Sequence, residues 1–172
     1  MLEAKKFNEI FNALRKRERP ISVNIPLPAD ILHIYNNIGD IEINGDFKFM
    51  SYENAIKTNT ILHNDFKELG EHFWVFAENG QGDIWLIDIK DILIPSRVYF
   101  YDHDIEDYSD QNMLDMNITL EEWFVLGDLI SQSYEYDYRD DNYSLKETFQ
   151  RKVLVEMEKI STGLSEIYPF SL

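Results

Sequence analysis

Apolar residues recur along this chain with two periods, and the places where the period changes mark its elements. Between Leu2 and Arg17, Phe7, Ile10, Phe11 and Leu14 fall at helical spacing, with Lys5, Lys6, Arg15, Lys16 and Arg17 elsewhere on the wheel. This predicts an amphipathic first helix over 2–17 that packs on the core. Pro20 and Ile25-Pro26-Leu27-Pro28 interrupt it, and Pro28 suits the first turn of a second helix. That helix carries a stripe of Ile31, Ile34, Tyr35 and Ile38, with Gly39 placed as its C-terminal cap. Ile41-Glu42-Ile43 and Phe47-Lys48-Phe49 alternate around Asn44-Gly45, which predicts a short hairpin. Ser51 is positioned to cap a third helix bearing Tyr52, Ala55, Ile56, Leu62, Phe66 and Leu69, closed by Gly70.

The strongest strand signals are Phe73-Trp74-Val75-Phe76-Ala77, Ile84-Trp85-Leu86-Ile87-Asp88-Ile89 and Val98-Tyr99-Phe100-Tyr101. Gly80 and Gly82, between the first two, are expected to supply the positive φ of a tight reversal. Both faces of these strands are apolar, so helices are expected over one face and crowded aromatics on the other. Thr119-Leu120-Glu121-Glu122 reads as a capping box that opens a helix with Leu120, Trp123, Phe124 and Ile130 inward. Ser144-Leu145-Lys146-Glu147 reads as a second box, starting a last helix over 144–160 with Leu145, Phe149, Val153, Met157 and Ile160 on one stripe. With no internal repeat and no linker tract, the expectation is one α+β domain spanning 1–172, built on a central antiparallel meander around residues 73–101 with helices packed on it.

Composition narrows the function. Of 172 residues, 44% are hydrophobic and 14% aromatic, enough for one core and incompatible with a disordered acidic tail. The 16 Lys and Arg against 32 Asp and Glu give a formal charge of −16, a field that repels phosphate backbones and anionic membrane surfaces. The predicted partner is therefore a basic protein, with no nucleic acid and no membrane. Cysteine is absent, which removes disulfides, thiolate metal sites and a cysteine nucleophile and fits a reducing compartment. No apolar run approaches the roughly 18 residues of a membrane helix and no secretory signal pattern opens the chain, so the expected location is the cytoplasm.

Candidate chemistry is sparse. Gly80-Gln81-Gly82 resembles the start of a dinucleotide fingerprint, but Trp85 stands at the third glycine position and a strand follows, so phosphate binding is not expected. Asp102-His103-Asp104 is the most metal-like cluster. If the Val98 strand runs on through it, the two aspartates share a face and His103 points away, so the three do not converge. As a calcium loop it lacks the required glycine, replaced by Asp107, and the closing glutamate, replaced by Met113. His33, His63, His72 and His103 are the 4 histidines, and none sits in a His-Glu-x-x-His pattern or beside a nucleophile elbow. No catalytic residue, cofactor or metal is predicted. Residues 102–141 hold 13 acids and one base, Arg139, and Ser133 to Tyr143 interleaves tyrosine with acid. Two readings stay open, a solvated loop or a protein-binding surface in which acids steer a cationic partner and tyrosines give contact area. On the second, the binding residues are Asp102, Asp104, Glu106, Asp107, Asp110, Tyr134, Tyr136 and Tyr138.

Four segments in order carry a family resemblance: Leu27-Pro28-Ala29-Asp30-Ile31-Leu32 through Gly39, Phe76 through Asp88 with its glycine hairpin, Val98 through Asp104, and Ile118-Thr119-Leu120-Glu121-Glu122-Trp123-Phe124. Together they are similar to the SUKH superfamily, which includes fungal Smi/Knr-type regulators and many bacterial immunity proteins. The likeness spans about residues 27–130 and leaves the first and last helices outside. Asn37-Ile38-Gly39-Asp40 departs from the family's Asn-Gly-Gly turn, and Leu120 and Trp123 stand where phenylalanines are usual. The resemblance implies an α+β fold with no inherited catalytic residue. It also implies a non-enzymatic immunity protein that binds and neutralises a cationic polymorphic-toxin domain, such as a nuclease, with a Smi/Knr-type interaction scaffold as the alternative.

Overall fold

Continuous apolar runs at the centre and alternating ones at the edges build six strands: β1 (Ile41–Asn44), β2 (Phe47–Phe49), β3 (Phe73–Glu78), β4 (Ile84–Asp88), β5 (Arg97–Tyr101) and β6 (Leu114–Thr119). The structure is a computed structural model that describes residues 2–90 and 94–172, and Tyr136 by its backbone only. Each strand pairs antiparallel with its sequence neighbours, so the sheet order is β1-β2-β3-β4-β5-β6. The expected meander is its centre, with Trp74 opposite Ile87, Leu86 opposite Tyr99 and Trp85 opposite Phe100. The predicted Asn-Gly hairpin is β1-β2. The sixth strand was not expected: within the acidic stretch, Met116 and Ile118 alternate inward between polar neighbours and pair it with β5.

Helices α1 (Phe7–Ala13), α2 (Ala29–Asn37), α3 (Tyr52–Asp65), α4 (Lys67–His72), α5 (Leu120–Ser133), α6 (Glu147–Ile160) and α7 (Leu164–Ile167) surround the sheet, giving one α+β domain. Among the described residues no helix is long and apolar enough to cross a membrane. The Thr119 box forms as expected: its side chain accepts from the Glu122 N–H, and Glu122 returns to the Thr119 N–H at 2.7 Å. Ser51 likewise caps α3.

Several boundaries differ from the pattern-based expectation. The first helix is not 2–17 but Phe7–Ala13, because Lys16 bridges to Ile38 in extended form and the Arg17 N–H donates to the Asn37 carbonyl at 2.7 Å. Gly39 does not cap α2; Ile38 ends it with extended backbone, leading into β1. The third helix breaks at Phe66 and restarts as α4, with Gly70 inside it. A Cβ on Gly70 would lie 2.7 Å from the His63 backbone, so glycine is needed there for close approach of α3 and α4. The second capping box does not form. Ser144 is held in a turn by Asp140, whose carboxylate accepts its N–H at 2.9 Å, and the last helix starts at Glu147 behind Lys146. Of the two hairpin glycines only Gly82 is left-handed, with φ +110°.

Aromatics crowd both faces, against the expectation of one. Trp85, Phe47, Phe49 and Phe76 meet Trp123 of α5 on one side. On the other, Phe73 meets Tyr99, and Tyr108 lies between Tyr101 and Phe66 at 4.4 and 4.2 Å. The shortness of β2 creates one demand. Its pairing with β3 stops at Phe49–Ala77, with a last bond from the Met50 N–H to Phe76, leaving the earlier part of β3 with an open edge. Asn59 of α3 closes it: its Oδ1 accepts from the Val75 N–H and its Nδ2 donates to the Val75 carbonyl, both at 2.8 Å. A side-chain amide here replaces a strand partner.

Asn59→Leu should therefore leave both Val75 groups buried without a partner and lower stability by about 3 kcal/mol. Asn59→Asp, which keeps the acceptor but loses the donor, should fail to restore it. Urea denaturation midpoints check both, and a wild-type midpoint for either variant would refute the role.

Candidate protein-binding surface

Antiparallel order brings three connections to one end of the sheet: the Gly45-Asp46 turn, the Asn79 to Asp83 hairpin and the loop after β5. Asn79 builds the hairpin by accepting the N–H groups of Gln81, Gly82 and Asp83 at 2.8, 2.9 and 2.9 Å. The turns are tied together, since the Gly80 N–H donates to the Gly45 carbonyl and the Trp85 indole N–H to the Asp46 carbonyl, both at 3.0 Å. The Tyr134 hydroxyl, arriving from the end of α5, donates to the Asp46 carboxylate at 3.1 Å.

The strand assumed to continue through Asp102-His103-Asp104 ends at Tyr101. Asp102 accepts the Asp104 N–H at 2.9 Å and caps a 3₁₀ turn, His103–Ile105. The turn swings His103 toward the hairpin, where the buried Asp83 carboxylate accepts from the His103 backbone N–H at 3.1 Å and lies 2.7 Å from its Nδ1. Asp104 lies 3.3 Å from the other ring nitrogen. Asp83, Asp102 and His103 thus bring donor atoms within 4.8 Å of one another, and among the described residues they are the group able to hold a cation. The geometric reason for expecting no convergence is overturned. In this structure the donors are engaged by hydrogen bonds, with the Asn79 amide on the second Asp83 oxygen at 2.6 Å.

Beyond this turn the acidic loop folds back over the face of the sheet opposite α5. Tyr108 pins it between two rings, Asp110 reaches the His72 ring at 2.5 Å, and the Asn112 amide holds the Asp107 carbonyl at 3.0 Å. Asp102, Asp104, Glu106 and Asp107 remain exposed, Asp104 with 85% of its side chain open. Tyr138 lies apart from them: its ring packs at a tilt against Phe149 of α6 at 4.6 Å, within the layer on the other side of the sheet, and the Tyr136 side chain is outside the described residues. Arg139, the base of this stretch, closes α5 by donating to the Ser133 carbonyl at 2.9 Å and lies over the Tyr134 ring.

The eight sequence-predicted positions therefore divide. Asp102, Asp104 and Glu106 share the sheet end with Tyr134; Asp107 and Asp110 lie over one face; Tyr138 belongs to the other layer; and the eighth, Tyr136, has its side chain outside the described residues. Asp46 and Asp83 join this end without having been singled out, because only strand pairing brings their turns to the same end of the sheet as residue 103. Compared with protein-family models, with curated proteins and with solved structures, the chain matches none.

His103 supplies a pH test. Its hydrogen bond to Asp83, with the charges of Asp104, Asp83 and Asp102, raises its pKa above the ordinary 6.5, against the opposing effect of burial. A raised folded pKa stabilises the fold fully below the unfolded value of about 6.5, and this contribution fades as pH rises through the folded value. Relative to His103→Gln, the wild type should lose stability from pH 6.5 upward, measured as urea midpoints across pH. NMR titration of the ring should report a midpoint above 6.5. A pH-independent difference between the two proteins would refute the coupling.

Proposed function

We propose that the chain is a non-enzymatic immunity protein of the SUKH type that acts in the cytoplasm by binding and neutralising a cationic polymorphic-toxin domain. One observation carries this reading: the acids from Asp102 to Asp107 are displayed on a loop fastened by the ring stack at Tyr108 and the Asp110–His72 contact, so their charge is held in place. Fixed charge of one sign speeds encounter with an oppositely charged surface and costs little ordering on binding. Nucleases fit as the toxin class because a surface that grips phosphate is basic. The chain's net charge of −16 opposes such a surface.

The test is surface-plasmon kinetics against a toxin domain encoded beside this chain. Reversing Asp104, Glu106 and Asp107 to lysine should slow association by about tenfold or more at low salt, with a smaller effect as ionic strength rises and little change in dissociation. Asp110 is left out because it also ties the loop to α4. Tyr138→Ala should act chiefly on stability, since its ring packs against Phe149. Unchanged association, or catalytic turnover by the chain itself, would overturn the reading; binding to several endogenous proteins and to no toxin would favour the Smi/Knr-type scaffold.

A further inference from the structure

Beside the acidic turn the surface sinks into an open depression of about 460 Å³, bounded by the start of β6, the 3₁₀ turn and the C-terminal segment. Its apolar lining comes from Phe100, Ile105, Met113, Leu114 and Pro169. Ile105 and Leu114 leave 46% and 40% of their surface open to solvent. Single exposed aliphatics are ordinary, but two bordering one depression form a patch. Its rim is acidic: Asp102 and Asp115 line it, and Asp104 and Glu106 flank Ile105 in the chain. Asp115 is paired with Arg97 at 2.8 Å, whereas the Asp104 and Glu106 side chains face solvent.

We propose that this depression is the anchor site for a cationic protein segment, which seats one apolar side chain against Ile105 and Leu114 and lays neighbouring Lys or Arg residues on Asp102, Asp104 and Glu106. The inference rests on the reading that the partner is a cationic protein, and adds where that partner's anchor sits. An apolar centre inside a charged rim is the anatomy of an interface hot spot, where a few desolvated side chains hold the complex and the rim sets encounter. Among the described residues no lysine or arginine lines the depression, so its charge selects for a basic segment. A second copy would bring the same field of −16 and be repelled.

The probes are two synthetic peptides rich in lysine and arginine, identical except for a central leucine in one and serine in the other, labelled for fluorescence anisotropy at low salt. The leucine peptide should bind about tenfold more tightly, because burying most of one leucine is worth a factor of that order. Ile105→Ser with Leu114→Ser should abolish the difference while leaving the serine peptide's affinity unchanged; both side chains are partly exposed, and circular dichroism verifies the fold. Asp104→Lys with Glu106→Lys should weaken both peptides alike. Equal binding of the two peptides, or a leucine advantage that survives in the Ile105/Leu114 variant, would overturn the anchor site and leave the cationic-partner reading standing. Failure of both peptides to bind would overturn that reading itself. Sedimentation showing a dimer that the Ile105/Leu114 variant dissolves would assign the site to a second copy and refute the proposal.

Discussion

Trp123 is where the two layers of this protein are held in register. Its ring lies 5.2 Å from Phe47 of β2, 5.1 Å from Phe76 of β3 and 6.0 Å from Trp85 of β4, so one side chain of α5 contacts three strands. Among the described residues its indole N–H has no hydrogen-bond partner, a deficit of about 1–3 kcal/mol. Burying an aromatic surface of roughly 200 Å² yields about 5 kcal/mol, so the packing outweighs the lost bond. The capping box at Thr119 belongs to the same constraint. By fixing the first turn of α5 four residues earlier, it sets the rotation that aims Trp123 at the sheet.

What sequence patterning revealed were those elements whose buried faces are dense and whose boundaries are made by local chemistry. The three central strands are nearly continuous apolar runs, and the Thr119 and Ser51 caps use side chains that reach only three residues along the chain. Features set by distant contacts were not legible in this way. The first helix is shortened because Lys16 meets Ile38, and the Ser144 box is lost because Asp140 occupies the serine backbone. The sixth strand was hidden because only Met116 and Ile118 alternate inward beneath a strongly acidic composition.

The binding surface shows the same division. Acidity of residues 102–110 is plain in the sequence, but the turn at Asp102 redirects His103 onto Asp83, twenty residues away. That contact depends on the register that sets Ile84 opposite Tyr101, which no local pattern encodes. Interleaved tyrosines suggested a single face with the acids; tertiary structure gives Tyr138 to the α5–α6 layer and keeps Tyr134 at the sheet end through Asp46. The Gly80 to Gly82 hairpin, read from sequence as a reversal, turns out to be the piece on which the neighbouring connections are fastened.

The strand order has a consequence for how the chain comes into being. From β2 onward every strand pairs with the strand made immediately before it, so no new pair closes a loop that contains another strand. During synthesis the sheet can lengthen one strand at a time from the β1-β2 hairpin, with no strand waiting for a distant partner. The helix that bears Trp123 follows the sixth strand in the chain, so the one side chain that joins β2, β3 and β4 is supplied only after all six strands have been made.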